Sequence, residues 1–139
     1  MAWSDRRILD LFGIDLPIVQ APMANFGTPE MAIGAAQAGA LGSLACASLN
    51  ADQIRGAIAV IRKATSRPLN ANFFCHMPPP ADAGREAAWR ARLAPYYREM
   101  DLDPDASVPG AARLPFDEAA CALVEELKPE VVSFHFGLP

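Results

Sequence analysis

Residues 40–74 read ALGSLACASLNADQIRGAIAVIRKATSRPLNANFF, an apolar run, an amphipathic segment and a second apolar run in succession. Ala40 to Ala45 is small and apolar, as a buried strand would be. Asn50 then supplies a helix cap, with Gln53 three positions later as a capping-box variant. Ile54, Ile58 and Ile61 recur at i, i+4 and i+7, which places them on one helical face. Pro68 ends that segment, and Leu69 to Phe74 alternates as a strand does.

The same rhythm extends upstream. Leu16 to Gln20 reads as a buried strand ending in Ala21-Pro22-Met23, with a turn at Asn25, Phe26 and Gly27. Thr28-Pro29-Glu30 has the marks of a helix start: a Thr cap, Pro at the first helical position and an acid in the first turn. The helix Met31 to Ala38 stops at Gly39, a glycine placed to close it.

Downstream the rhythm breaks between His76 and Pro115. His76-Met77-Pro78-Pro79-Pro80 suits neither a helix nor a central strand. Gly84 to Ala94 is expected to be helical, with Trp89 and Leu93 on one side and Pro95 interrupting it. Asp101 to Pro115 is expected to be loop. Phe116 to Leu127 restores the pattern, with Phe116, Ala120, Val124 and Leu127 facing one way. Pro129 closes that helix, and Val131 to Phe136 forms a fourth strand.

Four strands joined by helical crossovers make an α/β fold with a parallel sheet covered on both faces. The G-x-G-x-x-G fingerprint and the P-loop are both absent, which weakens an open dinucleotide-binding sheet. By pattern alone, an open sheet and half of a closed barrel remain equally open.

Composition narrows the partners. The 139 residues are 52% hydrophobic and 20% charged, with net charge -4 and no run of Lys and Arg. A nucleic-acid partner is therefore not expected. Cys46, Cys75 and Cys121 are far apart and odd in number, so neither a zinc site nor a disulfide framework is expected. No apolar stretch approaches the roughly 20 residues that span a bilayer. Asp10 and Asp15 interrupt the only apolar run near the start, against a signal peptide. A cytoplasmic protein without a membrane partner is expected.

Three features point to chemistry. Along the last strand one face carries Val131, Ser133 and His135, and the other carries Val132, Phe134 and Phe136. The second set suits packing under helices, so His135 points away from them, at the C-terminal end of its strand. In a barrel that is where reacting groups stand. An imidazole there can give or take a proton near neutral pH; a core histidine bonded to a backbone carbonyl would look the same. Asn70 and Asn72 share one short strand, although asparagine suits strands poorly. Buried amides need partners, which a heteroaromatic cofactor or neighbouring strand ends could supply. Ala21-Pro22-Met23-Ala24 would let a flat ligand approach the backbone, and a tight turn would look alike. His76 reads as a solvated or lid residue, and Glu125-Glu126 as a solvated face. Asp101, Asp103 and Asp105 alternate, but Pro104 and the missing Gly and Glu spoil a calcium loop.

Leu16-Pro-Ile-Val-Gln-Ala-Pro-Met23, Leu69-Asn-Ala-Asn-Phe-Phe74 and Val131-Val-Ser-Phe-His-Phe-Gly-Leu-Pro139 together resemble the nitronate monooxygenase family, formerly the 2-nitropropane dioxygenases. The last stretch is the most specific; the first is shared with several flavin barrels. The resemblance implies the N-terminal half of a TIM-type (β/α)₈ barrel that uses FMN to oxidise alkyl nitronates with dioxygen, giving a carbonyl compound and nitrite. It implies one partial FMN-binding domain over residues 1–139; the Pro-rich insertion at about 76–115, which the resemblance does not cover, follows a strand and is expected to act as a lid. Ala21, Pro22, Met23 and Asn72 would contact FMN, and His135 would be the base, with no metal. A barrel of this kind needs roughly 250 residues. The chain is thus expected to be inactive alone and to need a missing C-terminal half or a homo-oligomer. The alternatives are an FMN-dependent enoyl-thioester reductase-like barrel, and a non-catalytic half-barrel that pairs with a partner chain.

Overall fold

Residues 3–107 and 113–139 are described in a computed structural model. The elements in chain order are α1 (Arg7–Phe12), α2 (Pro29–Gln37), β1 (Gly42–Ala45), α3 (Ala51–Ala64), β2 (Leu69–Phe74), α4 (Ala83–Glu99), α5 (Glu118–Leu127) and β3 (Val131–His135). A short 3-10 turn at Cys46–Ser48 follows β1. The chain divides into two compact units: residues up to 76 together with those from 113 onward, and residues 77–112.

In the first unit the strands form a sheet ordered β1-β2-β3, parallel throughout. The helix starts follow from side-chain caps. Thr28 accepts from the Met31 N–H, with Pro29 opening α2. At α3 the capping box is complete, the Asn50 and Gln53 side chains each accepting from the other's backbone N–H. Asp117 caps α5 by accepting from the Ala120 N–H.

The sheet has two chemically different faces. Leu44, Leu69, Ala71 and Phe73 point toward the helices and pack with Ile54, Ile58 and Ile61 of α3, Ala32 of α2 and Leu123 of α5. Fully burying each isoleucine contributes about 1.5–3 kcal/mol. Phe116 and Phe134 join this core, their rings meeting edge to face at 5.1 Å. Ser43, Asn70 and Asn72 lie on the opposite face, and all three are buried. A smaller cluster of Leu9, Ile14 and Leu41, with Phe12 and Val131 against it, closes the end of that face where the strands begin.

Several expectations require correction. Leu16 to Gln20 is not a buried strand: Ile18 and Val19 are about half exposed, and its backbone pairs with the sheet side through a single parallel bridge, Val19 to Leu41. Pro17 offers no N–H to a ladder, and the preceding Asp15 and Leu16 N–H groups both turn to the Gly39 carbonyl. The helix α1 answers to no motif in the expectations; its burial of Leu9 depends on the tertiary cluster.

Pro95 does not interrupt its helix, which continues to Glu99. The carbonyl left without a partner four residues earlier belongs to Ala91 on an exposed turn, where water can serve it. The helix predicted from Phe116 begins at Glu118, since Phe116 donates its N–H to the Phe74 carbonyl. Phe136 leaves the strand alternation with φ at 68° and lies exposed, its ring 5.0 Å from that of Phe74. Of the expected loop after α4, Pro109 and Gly110 lie outside the described residues.

Candidate functional site

The polar face of the sheet is a set of interlocked amides and hydroxyls. Gln20 reaches across from the bridged segment, and its Oε1 accepts the Ser43 N–H at 2.9 Å. Asn70 Nδ2 donates to Ser43 Oγ at 3.0 Å, and the buried Asn70 Oδ1 has no partner among the described residues. Nearer the C-terminal ends, Asn72 lies opposite Ser133 in the parallel register of β2 and β3. Its Nδ2 donates to the Ser133 backbone carbonyl at 3.1 Å and to Ser133 Oγ at 2.9 Å. Its Oδ1 lies 3.2 Å from His135 Nδ1.

His135 ends β3 exposed, while Asn72 behind it is only 1% exposed. The rings of Phe74 and Phe136 each approach the imidazole to 6.0 Å. An accessible imidazole is thus held from behind by a buried amide, which is itself held by a neighbouring backbone. Such a group can move a proton at its outward nitrogen.

Ala21, Pro22 and Met23 follow the Val19–Leu41 bridge, leaving the sheet in the direction of the strand C-termini. Ala21 and Met23 are exposed and Pro22 is half-buried. Among the described residues no acceptor meets the Ala21 or Met23 N–H, whereas the Met23 carbonyl closes a turn by accepting from Phe26 and Gly27. The structure therefore joins Asn72 directly to His135 and places Ala21 to Met23 on a separate segment, tied to the sheet through Gln20.

The other sequence features carry less. His76 is half-buried beside Phe74 and bonds to nothing among the described residues. All three cysteines are free. Burial pushes the Cys46 thiol up to about 12, which keeps it protonated and unreactive. Among the described residues no cluster of three or more metal-ligating side chains occurs, and no helix is long and apolar enough to cross a membrane.

Sequence reasoning missed Gln20, Ser43 and Ser133. Ser133 had a signal, since it precedes His135 by two and shares its face. Nothing in the order of residues could pair it with Asn72, 61 positions away.

Comparison with known proteins places these residues in a wider setting. The sequence profile of the family described as nitronate monooxygenase matches residues 5–139. A nitronate monooxygenase of Paraburkholderia phytofirmans is 44% identical over 135 residues, covering 96% of this chain and 37% of that relative. One of Pseudomonas aeruginosa is 39% identical over 135 residues, covering 96% of this chain and 38% of the relative. The chain thus spans well under half the length of these relatives. Among solved structures, nitroalkane oxidase from Streptomyces ansochromogenes superposes with a TM-score of 0.78 at 33% identity, over 95% of this chain and 36% of the other. A mutant of FabK from Thermotoga maritima superposes with a TM-score of 0.51 at 24% identity, over 91% of this chain and 38% of the other, a likeness of fold alone. The parallel α/β architecture is that of a partial TIM-type barrel, as the resemblance implied.

Proposed function

The chain belongs to the nitronate monooxygenase family, and from that membership we propose that it supplies the N-terminal part of an FMN-dependent barrel oxidising alkyl nitronates. Dioxygen would be the oxidant, and a carbonyl compound and nitrite the products. The observation that carries this reading is the accessible His135 at the end of β3, backed by the buried Asn72.

The residues suit an isoalloxazine ring. Ala21 and Met23 present N–H groups with no acceptor among the described residues, and neither Ala21 nor Pro22 carries bulk to hold a flat ring away. We assign Ala21, Pro22 and Met23 to the cofactor. Asn72 joins them through the remaining lone pair of Oδ1, because both of its N–H bonds are taken by Ser133. Bound FMN would supply the electron transfer from the nitronate carbon to dioxygen.

His135 has two uses, depending on the form in which substrate arrives. From a neutral nitroalkane, a carbon acid, its imidazole takes the α-proton. For a substrate already ionised, the same ring orients and stabilises the anion. The domain is one partial barrel, with residues 77–112 forming an insertion that rises from a strand end, where lids are found. The remaining strands come from further polypeptide or a second copy, and β3, half-buried along most of its length, is the edge they would join.

The test has two parts. Protein mixed with FMN and then filtered should retain flavin absorbance, and its assembled form should release nitrite from an alkyl nitronate under oxygen. His135→Asn should lower turnover of the neutral nitroalkane by about 10²-fold or more, with a smaller loss for the preformed nitronate. An assembled protein that consumes NADH and releases no nitrite would overturn the reading.

A further inference from the structure

We propose that Asn72 is a positioning residue that holds neutral His135 as the tautomer with its hydrogen on Nδ1, leaving Nε2 as the ring's free acceptor. This rests on the reading of His135 as the proton-handling group, but its chemistry can be checked separately.

Ser133 fixes the amide first. Its backbone carbonyl can only accept, so the Asn72 group 3.1 Å away must be the NH₂ end of the amide. That orientation turns Asn72 Oδ1 toward His135 Nδ1, at 3.2 Å. An amide oxygen cannot donate, so the pair is bonded only when Nδ1 carries the hydrogen. Asn72 is 1% exposed, and reversing its amide would bring oxygen against oxygen at Ser133, leaving a buried acceptor unpaired. The serine carbonyl thereby sets the amide, and the amide sets the imidazole. Without such a partner, an exposed histidine samples both tautomers and favours hydrogen on Nε2, which would place a donor where the base is needed.

The bond also survives protonation, because Nδ1 donates in the neutral ring and in the imidazolium alike. Every proton that His135 gains or loses is therefore exchanged at Nε2. Asn72 so has a role independent of any cofactor contact.

The experiment is ring ¹⁵N NMR on protein labelled at histidine, recorded where the imidazole is neutral. The chain has two histidines, His76 and His135, and the His76→Gln variant assigns the signals. The expected result for His135 is a protonated-type shift at Nδ1 and an unprotonated-type shift at Nε2. A spectrum with the hydrogen chiefly on Nε2 of His135 overturns the proposal, and this arm leaves Asn72 unchanged. In Asn72→Leu the His135 signals should move toward the Nε2-protonated form; retention of the wild-type pattern in that folded variant would also overturn it. In the assembled enzyme the same substitution should reduce kcat for a nitroalkane by about 10²-fold with little change in KM. If instead His135→Asn leaves nitrite release intact, the reading of His135 as base fails while the tautomer result stands.

Discussion

Single residues fix the closest contacts in this chain. Gly42 opens β1 where α2 crosses it, and a Cβ built there would collide with the Ala32 backbone carbonyl. Backbone cannot swing aside as a side chain can, so α2 and β1 would have to separate. Gly42→Ala should cost about 1–3 kcal/mol or more in urea denaturation. Gly34 and Gly56 lie within α2 and α3, and beyond the local helix backbone an added Cβ would meet nothing within 4 Å among the described residues. There the alanine should stabilise by about 0.5–1 kcal/mol through helix propensity. A Gly42→Ala variant as stable as wild type would show that α2 does not press on β1 there. At this scale too, Asn70 and Asn72 explain why asparagine occurs twice in one strand. Both hold neighbouring strands by their side chains, one through Ser43 and the other through Ser133.

Between elements, the polar links gather at helix and strand ends. Glu130 precedes β3 and accepts from Arg62 of α3 at 2.8 Å and from the Leu69 N–H of β2 at 3.0 Å. Burial alone would raise its carboxyl pKa. The hydrogen bond from Arg62, then those from backbone N–H groups, and the charge of Arg62 outweigh burial and hold it below the usual carboxylate value. A lowered folded-state pKa means stabilisation that is complete above the unfolded value of about 4.3 and is lost as pH falls through the lower folded one. The melting temperature of wild type should exceed that of Glu130→Gln at neutral pH, and the gap should close in acid below about pH 4. A gap that stays constant from neutral pH into that acid range would rule out the charge of Glu130 as its source. Arg55 and Glu126 join α3 to α5 at 2.7 Å, but both are substantially exposed and contribute little.

At the scale of the molecule, the chain is two compact units of unequal size. The smaller carries α4, in which no residue is buried. The larger is continuous in space across the point where the smaller departs, because the Phe116 N–H bonds the Phe74 carbonyl at 2.7 Å. Replacing residues 77–112 with a short Gly-Ser linker should therefore leave the cooperative unfolding and far-UV signal of the larger unit in place. Loss of cooperative unfolding would show that the larger unit needs the insertion for its stability. The same variant in the assembled enzyme tests the lid: an unchanged KM for substrate would remove that role.

Much of this was already decided along the chain. The caps at Thr28 and Asn50, the face of Ile54, Ile58 and Ile61, and the strand Leu69 to Phe74 depend on neighbours within a few residues, and such patterns are legible one segment at a time. The resemblance likewise rested on short stretches of adjacent residues, and the family match bore it out. Tertiary structure decided the rest. Pro17 and the competing Gly39 carbonyl reduced the first segment to a single bridge. Packing of the two apolar faces set the register that places Asn72 opposite Ser133 and beside His135. Alternation along a strand tells which residues share its face, but not which residue of another strand lies opposite. That depends on how helices and strands dozens of residues apart fill one core, a property of no single segment.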